Sequence, residues 1–342
     1  MDPVLQVKDL RVRFQTRRGP VMAVDGVSFS VNRGEAMGLV GESGSGKSVT
    51  CLSMLRMVPR PGGEIVGGSV ELNGVDLLGL SEKEMDRRRG RQVSMIMQDP
   101  MTSLDPLFTV GTQVGETIQR DSAHGERGKR VRRLLEMVRI PAPAIRAKAY
   151  PHQLSGGMRQ RVVAAISLAS EPTLLLADEP TTALDVTVQM QFLDMLREVQ
   201  AERGLALVLV THDLSIVARV CDKVSVMYGG RIVEQAPTEE LFARPHHPYT
   251  QALLRSVPRL GREEDRLHTI EGAPPDLAAL PTGCSFHPRC PHRMDICSRE
   301  LPPLRQIGAD HTSLCWLDAE TAGKPLEVVA SGRPEAAEEA PA

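Results

Sequence analysis

The run Gly41-Glu42-Ser43-Gly44-Ser45-Gly46-Lys47-Ser48 has the composition of a triphosphate cradle. It follows an apolar strand expected at Met37–Val40 and opens a helix expected from Lys47 to about Met57, the setting that the pattern G-x-x-x-x-G-K-[ST] requires. The glycines let the backbone curl until successive N–H groups face phosphate oxygens, and the helix N-terminus adds partial positive charge. Lys47 can neutralise the β- and γ-phosphates, and the Ser48 hydroxyl can ligate Mg²⁺. A second run, Leu174-Leu175-Leu176-Ala177-Asp178-Glu179, is an apolar strand ending in two acids. Ligands of open α/β sheets bind at that edge. There Asp178 can hold the magnesium shell and Glu179 can polarise an attacking water. Together the two runs imply hydrolysis of a nucleoside triphosphate.

Between them lies Leu154-Ser155-Gly156-Gly157-Met158-Arg159-Gln160-Arg161. Alone, Ser-Gly-Gly before a helix is an ordinary N-cap. Between a phosphate loop and an acidic strand end, it resembles the signature motif of ABC ATPases. That resemblance implies that Ser155, Gly156 and Gly157 meet the γ-phosphate of ATP held by an opposite subunit, with two ATPs sandwiched in a head-to-tail dimer. It also implies roles for single residues. Gln98 corresponds to the glutamine that senses magnesium and water, His212 to the histidine on the γ-phosphate, and Asp185 to the aspartate coupling the two sites. Phe14 corresponds to the aromatic that stacks on adenine, although a strand phenylalanine can equally be a core residue. The nucleotide set is thus Phe14, Gly41, Ser43, Gly44, Ser45, Gly46, Lys47, Ser48, Ser155, Gly156, Gly157 and Asp185. The catalytic set is Glu179, His212 and Gln98, and the magnesium set is Ser48, Gln98 and Asp178.

Four further runs narrow the resemblance: Gln98-Asp99-Pro100 through Pro106, Ala177 through Gln189, His247-Pro248-Tyr249-Thr250, and Glu271-Gly272-Ala273-Pro274-Pro275. They are similar to the ATPases of dipeptide and oligopeptide importers, a group whose members also move nickel and other small solutes.

The elements that must position these residues are legible from periodicity. Alternating Leu5, Val7, Leu10, Val12 and Phe14, then Val27, Phe29 and Val31, predict half-buried strands. Further strands are expected at Ser69–Leu72, Val93–Met97, Thr173–Ala177, Leu205–Val210, Lys223–Tyr228 and Arg231–Gln235. The Thr173–Ala177 and Leu205–Val210 runs are continuously apolar, as parallel strands buried on both faces are. A helix from Val186 to about Glu202 joins them, giving a strand–helix–strand unit. Apolar residues three and four apart (Val131, Leu134, Leu135, Val138) make 109–170 helical. After about residue 245 the patterning fades.

Charge and length exclude several classes. Lys plus Arg number 41 against 43 for Asp plus Glu in 342 residues, so no basic field exists to hold nucleic acid. The Arg87-Arg88-Arg89 run reads as a solvated helix face. No apolar run approaches the ~20 residues that span a bilayer. The N-terminal residues lack a signal peptide's basic start and apolar core, so a cytoplasmic chain is expected.

Cysteine use is uneven. Cys284, Cys290, Cys297 and Cys315 crowd one Pro-rich segment with spacing C-x5-C-x6-C-x17-C. Structural zinc sites pair ligands more closely, whereas a [4Fe–4S] cluster tolerates wider gaps, and relatives in the importer group are thought to carry one. Zinc, with His287 or His292 as substitute ligands, and unligated thiols are the alternatives.

The expected architecture is an α/β, RecA-like ABC ATPase core with an antiparallel β-subdomain and a helical insertion at about 99–167. A C-terminal region at 246–317 carries the cysteines after a nucleotide-binding domain at 1–245, and 318–342 is expected to be disordered. The expected function is ATP hydrolysis energising import of peptides or similar solutes. The cofactors are ATP, Mg²⁺ and a [4Fe–4S] cluster. The partners are a sibling or identical ATPase, two membrane permeases and, indirectly, an extracytoplasmic binding protein, at the cytoplasmic face of the bacterial inner membrane. The competing readings are a soluble ABC ATPase of DNA repair or translation, and an ATP-liganded metal or redox regulator.

Overall fold

A computed structural model describes residues 3–118, 124–256 and 269–317. The tail expected to be disordered, 318–342, lies outside the described residues. Two sheets form the frame. The smaller one contains β1 (Leu5–Thr16), β2 (Gly19–Val31), β4 (Gly63–Leu72) and β5 (Val75–Asp76), in the order β2-β1-β4-β5 and antiparallel throughout. The larger one contains β3 (Ala36–Val40), β6 (Val93–Ile96), β7 (Leu174–Asp178), β8 (Ala206–Thr211), β9 (Lys223–Tyr228), β10 (Arg231–Pro237), β11 (Leu304–Gly308) and β12 (His311–Leu314). Its order is β11-β12-β10-β9-β3-β8-β7-β6.

The central strands are parallel, and β3, β7 and β8 are buried along their whole length. Alternate side chains feed two different cores. Leu175, Ala177, Leu207 and Leu209 face a helical layer. Leu174, Leu176, Val208 and Val210 face the layer of β1, β2 and β4. A strand with a core on either side cannot alternate apolar with polar, which is why these stretches read as unbroken apolar runs.

The helices are α1 (Lys47–Met54), α2 (Glu82–Asp86), α3 (Pro100–Ser103), α4 (Val110–Thr117), α5 (His124–Met137), α6 (Pro143–Arg146), α7 (Gly156–Leu168), α8 (Val186–Arg203), α9 (Leu214–Val220), α10 (Thr238–Ala243) and α11 (Pro248–Arg255). Helix α1 stops short of the expected Met57, because Arg56 takes a left-handed conformation (φ 53°) ahead of Pro59. Conversely, β4 begins at Gly63 rather than Ser69. Its early half, Gly63 to Gly68, is rich in glycine, which obscures a strand signal, and Gly68 (φ 89°) sits where the register against β1 shifts.

The region after residue 245 is more ordered than its sequence suggests. Besides α11, it contributes the β11–β12 hairpin, which joins the main sheet through Glu234↔Ser313 and Gln235↔Thr312. A buried ion pair reinforces the seam. Glu234 and His311 have side chains 0% and 3% exposed, and His311 Nε2 lies 2.7 Å from Glu234 Oε1. The same carboxylate accepts the backbone N–H groups of His246 and His247 at 2.6 and 2.9 Å. Burial alone would depress the His311 pKa, but bonding and charge from Glu234, with help from Glu240, outweigh it and leave the value raised. A raised histidine stabilises the fold fully below its unfolded value, and that contribution fades as pH climbs through the folded value. The hairpin should therefore be best protected below pH 6.5. Hydrogen exchange of residues 304–314, corrected for intrinsic rates, should show protection falling as pH rises, and His311→Gln should flatten that dependence. Unchanged pH dependence in the variant would remove His311 from the seam.

Candidate active site

The phosphate loop is built by close packing that admits no side chain at two positions. A Cβ on Gly41 would lie 2.2 Å from the Met227 carbonyl oxygen, and one on Gly46 would lie 2.4 Å from that of Ala23. Gly46 also takes φ 105° and caps α1 without a side-chain bond, leaving the first N–H groups of the helix open toward the cleft. Two features of the loop fit an anionic ligand. Ser45 Oγ is buried without a hydrogen-bond partner. The Lys47 ammonium rests on the carbonyl oxygens of Gly41 and Glu42 at 2.7 and 2.9 Å. Burial lowers the Lys47 pKa, against the opposing pull of Glu179, Asp178 and Glu42. Ser48 Oγ donates to Asp178 Oδ1 at 3.0 Å, so the two side chains suited to a magnesium shell already touch. Burial raises the Asp178 carboxyl, an effect opposed by the Ser48 bond.

Beside this loop, three side chains converge on Glu179. Gln98 Nε2 donates to Oε2 at 3.4 Å, Thr182 Oγ1 donates to Oε2 at 3.0 Å, and His212 Nδ1 lies 3.3 Å from Oε1. Glu179 itself takes a left-handed backbone (φ 45°), held by its N–H bond to the Val210 carbonyl at 2.9 Å. Such a conformation costs about 1–3 kcal/mol in a non-glycine residue and persists where the surroundings fix it. The strand end thus turns sharply enough to aim the carboxylate at the phosphate loop. Sequence reading named Gln98 and His212 but missed Thr182. Its position three residues after Glu179 in a turn was the available signal.

Phe14, Thr16, Val21, Ala23, Gly41 to Gly44, Gly46 to Val49, Gln98, Glu179 and His212 line one open cleft of about 990 Å³. Leu253, Ser256, Thr269, Ile270 and Leu277, from the C-terminal region, complete its wall. None of these five was anticipated. Phe14 is half-buried, packing on the inner core while also facing the cleft, so both readings of it describe its place.

The signature residues lie elsewhere. Ser155 caps α7, accepting from the Met158 N–H at 3.3 Å, and both Ser155 and Gly156 are exposed. Gly157 packs on Val188 in the first turn of α8, whose N-cap is the exposed Asp185. Ser155, Gly156, Gly157 and Asp185 therefore share a surface of the chain outside its own cleft.

The four clustered cysteines line a second, small cavity with His247, Phe286, His287 and His292. Burial pushes Cys290 up to about 12 and Cys315 up to about 11, and raises Cys284 as well. Among the described residues, no three His, Cys, Asp or Glu side chains are gathered to hold a metal ion. That finding lends no support to the expected [4Fe–4S] cluster or to zinc.

A parallel sheet with a phosphate loop after β3, an acidic end on β7 and a displaced signature helix defines an ABC-type ATPase. Matches to known proteins agree. The ABC transporter family profile matches residues 24–182, and that of the oligopeptide/dipeptide transporter C-terminal region matches residues 233–297. The chain is 47% identical to the dipeptide transport ATP-binding protein DppD of Bacillus subtilis, over 94% of this chain and 97% of that protein. It is also 47% identical to the oligopeptide transport ATP-binding protein OppD of Escherichia coli, over 93% and 94%. The solved dimeric cassette MJ0796, bound to ADP and Pi, superposes with a TM-score of 0.61 at 26% identity, covering 68% of this chain and 98% of that one. The chain belongs to the ATP-binding subunits of ABC transporters, in the oligopeptide/dipeptide group.

Proposed function

We propose that this chain binds and hydrolyses ATP in the cleft and thereby energises import of peptides or similar small solutes through two partner membrane permeases. The observation that carries the hydrolytic step is the convergence of Gln98, Thr182 and His212 on Glu179 beside the phosphate loop. Lys47 and the open amides of α1 bind the β- and γ-phosphates. Ser48 and Asp178, with Gln98 nearby, would hold a magnesium ion, which would supply charge neutralisation of the phosphates. Glu179 orients a water and takes its proton, while His212 and Gln98 hold the carboxylate and face the γ-phosphate. Phe14 lies against the base. The relatives, named for dipeptide and oligopeptide transport, support this reading over a DNA-repair, translation or regulatory ATPase.

The displaced signature supports a paired arrangement. Ser155, Gly156 and Gly157 complete a partner's site, and Asp185 couples the two. The partner we favour is a sibling ATPase, a copy of this chain being the other candidate. The helical insertion supports a permease contact. Leu107 and Ile145 are 78% and 71% exposed, with Phe108 and Tyr150 beside them. The amides of Val110 and Gly111 donate to the carbonyls of Ala149 and Ala147, which keeps these two segments together. Among the described residues no helix is long and apolar enough to cross a membrane. The site of action we propose, from the kinship with importer ATP-binding subunits, is the cytoplasmic face of the inner membrane, held there by the permeases. Solute choice resides in the binding protein and permeases. Steady-state ATPase activity with and without the co-purified permeases is the test: stimulation by them is expected, and identical turnover in their absence would overturn the coupling.

We also retain the [4Fe–4S] cluster as a proposal, with residues 246–317 as the unit it would staple. Its support is the shared cavity of Cys284, Cys290, Cys297 and Cys315. The raised pKa values of Cys284, Cys290 and Cys315 keep those thiols neutral until a metal displaces their protons. Anaerobically purified protein should be brown, with iron and acid-labile sulfide in equal amounts, and Cys297→Ser should bleach it. A colourless preparation with four titratable thiols would end the proposal.

A further inference from the structure

The runs that set this chain apart within its class lie far from the phosphate loop in sequence, yet they meet it in space. At the junction stands Arg289, whose side chain is 6% exposed. Its guanidinium makes a bidentate pair with Glu42 of the phosphate loop, Nη1 to Oε2 at 2.7 Å and Nη2 to Oε1 at 3.0 Å. Nη1 also donates to Tyr228 Oη at 3.3 Å, Nη2 to the Ile270 carbonyl at 3.3 Å, and Nε to the Glu271 carbonyl at 3.0 Å. Every donor direction of the fork is thereby used. The bond with Glu42 holds the Arg289 pKa raised. Glu42 is pinned from a second side, because its backbone N–H donates to Tyr249 Oη at 2.9 Å. Tyr249 is fully buried against Tyr228 and Phe286, with ring centroids 4.5 and 5.3 Å away. Gly272, in a left-handed turn, lies flat on the Arg289 stem.

We propose that Arg289 is a positioning residue for the nucleotide site. It fixes the phosphate loop through Glu42, and it holds Ile270 as the cleft wall that contacts the base. A bidentate guanidinium–carboxylate pair is both strong and directional. It fixes the conformation of the loop segment carrying Gly41 and Glu42, whose carbonyls hold Lys47 until phosphate arrives. Ile270 and Leu277 line the same cleft as Phe14. An apolar side chain there offers the base a flat contact that a bare triphosphate does not use. The C-terminal region is then part of the nucleotide site.

This inference rests on the ATP-binding reading, and its test separates the two. Binding of ATP and of inorganic tripolyphosphate is measured on the full-length chain, for wild type and for Lys47→Ala, Arg289→Met, Arg289→Lys, Glu42→Gln, Ile270→Ala and the Glu42→Gln/Arg289→Met double variant. Arg289→Met should weaken both ligands about 10-fold, the scale of one lost charged hydrogen-bond pair. Arg289→Lys should recover part of that loss. Adding Arg289→Met to Glu42→Gln should cost less than about 3-fold more, because the pair acts as a unit. Ile270→Ala should weaken ATP several-fold and leave tripolyphosphate unchanged. In the assembled transporter the loss should appear in KM for ATP, with kcat at saturation nearly kept. Arg289→Lys keeps the question answerable if Arg289→Met does not fold, since lysine retains the charge but not the fork. Wild-type affinity in both Arg289 variants, alongside loss in Lys47→Ala, would overturn this inference and leave ATP binding standing. Absence of binding by the wild type would instead overturn the ATP reading itself.

Discussion

Glu179→Gln should leave ATP binding intact while lowering turnover by about 10²–10⁴-fold, the range typical of a lost general base. Glutamine matches glutamate in size, and its one amide oxygen can still accept from Gln98 and Thr182 while its amide NH2 faces His212 Nδ1. It also tolerates the φ of 45° at this position no worse than glutamate does. What disappears is the carboxylate that accepts the proton of the attacking water. Bound ATP should therefore persist, and the paired ATPases should accumulate in their closed form, detectable as an ATP-dependent shift on size-exclusion chromatography. A fall in kcat with little change in nucleotide affinity is the mark of an interaction made in the transition state. Wild-type turnover in this variant would take Glu179 out of the chemistry.

Ser155→Arg should reduce hydrolysis by about 10²-fold or more, comparable to losing a donor that stabilises transition-state charge, while this chain's own affinity for ATP stays near wild type. Ser155 is exposed, lies outside the cleft, and supplies its hydroxyl at the start of α7. A long cation in its place would occupy the space that a partner's γ-phosphate requires. Lys47→Ala is the complementary variant, because Lys47 lies within the cleft and its loss should weaken binding directly. Equal loss of affinity in the two variants of the isolated chain would contradict a site shared across two subunits.

Much of the architecture could be read from residue order because parallel strands and phosphate loops leave dense local signals. The unbroken apolar runs of β7 and β8 and the glycines ahead of Lys47 specify local backbone shape within a few residues. Glu179 was legible for the same reason, at the end of an apolar strand, whereas Gln98 and His212 were named only through the resemblance to ABC ATPases. The first half of β4 was hidden by glycines that serve packing against β1. Helix α2 carried a readable capping box, Ser81 with Glu84, that the periodicity reading passed over. Larger omissions concern contacts distant in sequence. Glu234 bonds a histidine on β12, and Arg289 bonds a carboxylate in the phosphate loop, pairs separated by 77 and 247 positions. Nothing in the local pattern around Arg289 marks it as buried, since arginine is ordinarily exposed. The loop-rich impression of the C-terminal region arose likewise, because its strands are short and β12 borrows a partner, β10, from the core.

Coupling between this cleft and solute movement is directly measurable. Uptake of a labelled dipeptide into proteoliposomes containing this chain, its partner ATPase, the two permeases and the binding protein measures that coupling. Uptake should require ATP and should vanish when Glu179→Gln replaces the wild-type chain, with the assembly still intact. Undiminished uptake by the Glu179→Gln assembly would contradict the central claim.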